Sequence, residues 1–236
     1  MVVQKNLQFN IKKENKTDST NEFVSKFLEE FKGKASIADY FYDKNYSLKK
    51  IYALGKMAKF LSIEIQMQVF SFFLSILQEN KEFLLKNYYK NNNFNYPANY
   101  WLAYASLTSL ISLQDQRVDK LLEEIALDSN YISNIRLTCL SGLFLRSGLV
   151  SNRFQSKKNL EIFKLIIENT SEKDKSVIDY AYKYLLISNI LENKTNLLYK
   201  EKYWKMFGAK DEFSAKSVAK SIEDEIKSLK RYYNFS

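Results

Sequence analysis

A chain of 236 residues with one proline and five glycines has few places where its backbone can turn sharply. Typical usage is about 5% proline and 7% glycine. Sandwiches and barrels draw on those residues at every hairpin, so the scarcity argues against an all-β architecture. A phosphate-cradling loop needs glycines close together, whereas Gly33, Gly55, Gly142, Gly148 and Gly208 are scattered. What remains is an all-α chain, an irregular array of helical hairpins joined by short polar loops.

The apolar periodicity fills in that outline. Residues 1–18 are polar and aperiodic, and read as a disordered N-terminal arm; residues 19–236 read as a single all-helical domain. Ser19 and Glu22 offer a capping box ahead of Phe23, Val24, Phe27, Leu28 and Phe31. Ser47 can cap a helix whose face carries Leu48, Ile51, Leu54, Ala58 and Leu61. From Ile63 to Asn80 apolar residues occupy more than one face, which predicts a central helix covered on several sides. A further turn or two follows over 82–90. The only proline, Pro97, stands where it can open the next helix. Helical patterns then run over about 98–113, 116–127, 131–146, 157–169, 175–192, 196–207 and 212–233.

One of these patterns is specific enough to compare with a known repeat. Ile135-Arg136 is followed by Cys139, Gly142 and Leu143 and preceded by Asp128-Ser129-Asn130. This resembles the second half of a HEAT repeat, in which a polar turn leads into Val-Arg and then Ala, Ala and Leu. Asp174, Val177, Ala181, Tyr184 and Leu185 echo it with Ile178 in place of the arginine. Leu102, Ser106, Ser109 and Leu110 echo it more faintly. The three starts lie 33 and 42 residues apart, against a period of about 40–47 for HEAT and armadillo arrays. Small residues suit close helix stacking. The resemblance covers roughly residues 97–207 and implies an α-solenoid that binds a protein, peptide or nucleic acid along its surface. It carries over no active-site residue, and an ordinary helical bundle is the competing architecture.

Chemistry is narrowed mainly by what is missing. The chain has no histidine and one cysteine, Cys139. Ser-His-Asp and Cys-His nucleophile sites, histidine zinc sites and a disulfide framework are therefore excluded. No catalytic, cofactor-binding or metal-binding residue is assigned, and Cys139 reads as an inert core thiol. Asp115, Asp119 and Glu123 stand four apart on one helical face, but with Arg117 and Lys120 interleaved they read as a solvated, ion-paired face. Glu223-Asp224-Glu225 reads the same way. The first residues lack the apolar core of a signal peptide. Phe60 to Leu77 is interrupted by Glu64, Gln66 and Gln68, short of the roughly 20 apolar residues that cross a bilayer. The expectation is a cytoplasmic protein without a membrane span.

The formal charge of +9 raises nucleic acid as a partner. Only five of the 36 cations are arginines, the residue best suited to bidentate phosphate and base contacts. Abundant Lys, Asn, Ile, Tyr and Phe fit AT-rich codon usage better than a binding footprint. Two stretches do interleave aromatic rings with lysines. Lys86 to Lys90 carries Tyr88 and Tyr89 and leads through Phe94 and Tyr96 to Tyr100 and Trp101; Tyr199 to Phe207 carries Tyr203 and Trp204. Such rings suit a protein hot spot or single-stranded nucleic acid. The reading is a non-enzymatic helical protein–protein interaction module with Tyr88, Tyr89, Phe94, Tyr96, Tyr100, Trp101, Tyr203 and Trp204 as candidate contacts. The alternative is a nucleic-acid-binding α-solenoid, including the HEAT-like DNA-repair glycosylase type.

Overall fold

The computed structural model describes residues 20–26, 28–29, 44–90, 96–149, 156–169, 171–191 and the helical positions 217, 220, 221, 224, 227, 228 and 231. Its regular elements are helices: α1 Lys44–Met57, α2 Ile63–Glu79, α3 Lys86–Lys90, α4 Ala98–Leu110, α5 Arg117–Leu127, α6 Ser133–Arg146, α7 Glu161–Glu168 and α8 Lys175–Leu191. Single 3-10 turns occupy Ala58–Phe60, Lys81–Leu84 and Lys157–Leu160. No β-strand occurs among the described residues. The chain divides into two compact units, Met1–Val118 and Asp119–Ser236.

In the first unit α4 packs against both α1 and α2. It is the covered helix: Tyr100, Leu102, Ala103, Ala105, Ser106, Leu107, Thr108, Ser109 and Leu110 are all buried. Two of its hydroxyls are satisfied inside the helix, Ser106 donating to the Leu102 carbonyl (2.9 Å) and Thr108 to that of Ala105 (3.0 Å). The central position expected for α2 is therefore held by α4. α2 buries Val69, Phe70, Phe72, Phe73, Ile76 and Leu77 but leaves Ile63 and Met67 on an exposed face. Apolar residues on two faces of a helix do not by themselves enclose it.

Small residues set the α1–α4 spacing. An added Cβ on Gly55 would lie 2.5 Å from Ser109 Oγ and 3.1 Å from Ser109 Cα. The Ser109 hydroxyl in turn donates to the Ile51 carbonyl across the contact (3.3 Å). The ends of α2 are fastened by side chains. Ser62 caps its start, accepting from the Ile65 N–H (3.4 Å), while its own N–H donates to Asn21 Oδ1 (3.0 Å). Asn80 closes its end, donating to the Ile76 carbonyl (2.8 Å) and accepting from Asn99 Nδ2 of α4 (2.8 Å).

In the second unit α8 packs on α6 and α7. α6 is buried from Thr138 to Arg146, together with Ile135 and Arg136. Two fully buried arginines hold it, one at each end. Arg136 Nε donates to the Ala126 carbonyl near the end of α5 (2.9 Å), and its two terminal nitrogens reach the Glu172 carboxylate. Arg146 Nε donates to Asp119 Oδ1 (2.6 Å), and Asp119 also accepts from Ser156 Oγ (3.0 Å) and Asn159 Nδ2 (2.9 Å). A buried charge needs such paired, hydrogen-bonded surroundings.

Candidate functional site

The described aromatic residues nominated from sequence in the first unit, Tyr88, Tyr89, Tyr96, Tyr100 and Trp101, form one connected cluster. Pro97, at φ −68°, caps α4, and its carbonyl accepts from the N–H groups of Tyr100 (3.0 Å) and Trp101 (3.4 Å). That start places Tyr96, Tyr100 and Tyr104 at steps of four along one side, with ring planes close to parallel. Ring centroids are 4.1 Å apart for Tyr96 and Tyr100, and 5.9 Å apart for Tyr100 and Tyr104. Trp101 stands across all three at steep angles: 6.0 Å and 74° to Tyr96, 5.1 Å and 81° to Tyr100, 6.0 Å and 88° to Tyr104. Edge-to-face contacts of this kind suit the quadrupoles of the rings. Tyr89 joins the cluster through Tyr96 (5.5 Å), and Tyr88 joins through Tyr89 (5.1 Å) and Phe83 (4.9 Å).

Burial sorts these residues into anchors and surface. Tyr89 and Tyr100 are buried, Tyr88, Tyr96 and Tyr104 are half-buried, and Trp101 is 42% exposed. Tyr89 donates its hydroxyl to the Phe83 carbonyl (2.8 Å). Burial, with smaller contributions from Tyr96 and Tyr88, pushes its phenol up to about 12. Burial likewise carries the Tyr100 phenol above the ordinary tyrosine range. Both rings are neutral and buried within the cluster. Half-buried Tyr104 stacks on Tyr100 from one helical turn further on and was not nominated from sequence. Phe94, Tyr203 and Trp204 lie outside the described residues, as do the Asn-rich stretch before Tyr96 and the Tyr199–Phe207 segment.

Charge around the cluster is unevenly placed. α4 carries no Asp, Glu, Lys or Arg. Lys86 and Lys90 flank Tyr88 and Tyr89 on α3, with Lys90 exposed.

The carboxylate row read as one solvated face is three different environments. Glu123 is exposed. Asp115 forms a two-point pair with Arg117 (3.0 Å at Nε), whose guanidinium also lies over the Phe70 ring at 4.2 Å. Asp119 is 5% exposed and sits in the buried network with Arg146. The solvated-face reading is corrected for Asp119. Its partners lie 27 to 40 residues away in sequence, beyond the reach of helical periodicity. Among the described residues no group of three or more Cys, Asp or Glu side chains is placed to hold a metal ion. No described helix is long and apolar enough to cross a membrane. Cys139 is fully buried, and burial raises its thiol above the usual range. Asp224 is exposed and pairs with Lys227 at 3.6 Å.

In the second unit the hydroxyls of Ser141, Tyr180 and Tyr184 converge at 3.1–3.3 Å. Ser141 donates to the Leu137 carbonyl (3.0 Å), so this is a satisfied core network and not an activated nucleophile. In the first unit a cavity of about 250 Å³ is lined by Ile63, Gln66, Met67 and residues 114–117. Gln66 at its base is bonded at both ends, donating to the Leu61 carbonyl (3.1 Å) and accepting from the Gln114 N–H (2.6 Å).

Comparison with protein-family models, with curated proteins and with solved structures finds no significant match to this chain.

Proposed function

We propose that the chain is a non-enzymatic helical interaction module that binds a protein partner through the Trp101 edge of its first unit. The observation that carries this reading is an indole left 42% exposed while it leans on three tyrosines. Tryptophan and tyrosine dominate interface hot spots. They offer a large contact area with few rotatable bonds to freeze, and packing against neighbouring rings reduces that freedom before a partner arrives. The uncharged α4 matches the depletion of charge at interface centres.

The second unit is consistent with a short HEAT-like array. α6 and α8 begin at Ser133 and Lys175, 42 residues apart. Arg136, in the arginine position of the resembling motif, reaches Glu172 in the turn that leads into α8, and Ser133 donates to Asp174 there (2.6 Å). Links between successive turns suit stacked hairpins. Because α6 is buried nearly throughout, the binding surface is placed on the exposed aromatic edge and not along α6.

The alternative, nucleic-acid binding, has Lys86 and Lys90 beside the rings in its favour; the lack of charge along α4 weighs against it. The deciding experiment recovers tagged wild-type and Trp101→Ala protein from the native host at moderate salt, with a thermal melt of each. A protein partner retained by wild type and lost from a folded variant supports the module. Identical recovery by both defeats it, and loss of bound nucleic acid installs the alternative.

A further inference from the structure

We propose that the cavity beside α2 receives one uncharged aromatic side chain of a protein partner, a contact separate from the Trp101 edge. Three of the side chains that line it suit a ring. The Arg117 guanidinium is a flat cation. The Phe70 ring covers one face at 4.2 Å, and the Asp115 carboxylate holds its edge, both oxygens lying 3.0 Å from Nε. A guanidinium fixed in this way offers its other face for stacking on an aromatic ring. Met67 brings a thioether, which packs well against ring edges. Ile63, one helical turn before it on α2, supplies an aliphatic wall, and both side chains are exposed.

Size limits the occupant. The cavity measures about 250 Å³, below the roughly 300–1,000 Å³ of sites that enclose drug-sized ligands. A cavity of about 150 Å³ already holds a benzene molecule. One ring on a main chain therefore fits, with that main chain at the rim beside exposed Gln114 and Gln116. Gln66 at the base already has a partner at each end of its amide, the Leu61 carbonyl and the Gln114 N–H. An apolar ring entering the cavity leaves it bonded, so the desolvation cost of an orphaned polar group is avoided.

Charge chooses between sources of a ring. Asp115 and Arg117 are the charged residues of the lining, and they pair with each other. The cavity therefore presents no excess positive charge to a phosphate, and an uncharged side chain is the complementary ligand.

The test is methionine-methyl NMR on the full-length protein. The chain has four methionines, and a Met67→Leu variant identifies the Met67 signal. The probes are N-acetylphenylalaninamide, N-acetylleucinamide and thymidine monophosphate. The phenylalanine probe should shift the Met67 methyl in a saturable way. The leucine probe and the nucleotide should bind at least about fivefold more weakly. Arg117→Lys keeps the charge but removes the flat face, and should weaken the phenylalanine probe about fivefold. The comparison of probes uses wild-type protein alone, so it decides the inference even if that variant is perturbed. No saturable Met67 shift at tens of millimolar phenylalanine probe overturns the inference, as does equal binding of the leucine probe or an undiminished affinity in a folded Arg117→Lys variant. Tighter binding of the nucleotide overturns it in favour of a nucleobase. None of these outcomes bears on the Trp101 reading, since Trp101 does not line the cavity.

Discussion

Arg146 and Asp119 form a buried ion pair at 2.6 Å that fastens the end of α6 to the beginning of α5. Asp119 extends the fastening to Ser156 and to Asn159 in the 3-10 turn before α7. One carboxylate thus organises three segments of the second unit, and it has the charge partner that makes its burial tolerable.

Removing only one partner should be far worse than removing both. Asp119→Ala strands the Arg146 guanidinium in the interior and should cost about 3–5 kcal/mol. Asp119→Leu combined with Arg146→Met replaces the pair by apolar volume and should recover most of that loss. Urea unfolding of the single and double variants measures the difference. A double variant as unstable as the single one would show that the pair is not the reason for the loss.

How far this arrangement was legible in the sequence differs from residue to residue. Among the described residues, helix identities and most ends were readable, because Pro97 and the 3.6-residue apolar period act locally. Arg136 was singled out by a motif, although its partners Glu172 and Asp174 could not be named. Asp119 was misread, since only the folded chain brings it to Arg146. Trp101, Tyr96 and Tyr100 were nominated from composition and spacing, and Tyr104 was not. Which of them face water was not legible, because Tyr100 and Trp101 are neighbours that point to opposite fates, one 3% and the other 42% exposed.

Acid should loosen the other end of α6. The hydrogen bond from Arg136 holds the Glu172 carboxyl below the usual carboxylate range, against the opposing effect of burial. A group with a depressed folded pKa contributes stability that is fully present above its unfolded value and lost as pH falls through the folded one. The melting temperature should therefore fall progressively as pH drops through and below about 4.3, the ordinary glutamate value. A Glu172→Gln variant, already less stable at neutral pH, should show a shallower fall over that window. Identical slopes for the two proteins would rule out Glu172 as a contributor.

The α1–α4 contact should not tolerate a single methyl group. Gly55→Ala gains about 1 kcal/mol of helix propensity, but its Cβ meets both Ser109 Oγ and backbone at Ser109 Cα. Overpacking of this kind costs about 1–3 kcal/mol, and a clash with backbone lies at the upper end of that range. A net loss of about 1–2 kcal/mol is expected in chemical denaturation. Adding Ser109→Gly should relieve part of it. A stabilised Gly55→Ala variant would show that the helices move apart freely.

Cys139 should be silent while the chain is folded. It is fully buried, with a thiol raised by that burial, so an aromatic disulfide reagent should titrate no thiol in buffer and one equivalent in guanidinium. Rapid reaction of the native protein would mean that α6 opens readily.

The interaction reading itself is tested most directly by placing a photocrosslinker at the exposed indole. Trp101 would be replaced by benzoylphenylalanine, with the same replacement at exposed Leu165 of α7 as the control. After irradiation in the native host, the account predicts one discrete protein adduct from position 101 that position 165 does not give. Nucleic acid as the specific adduct at position 101, or the same diffuse pattern from both positions, would contradict it.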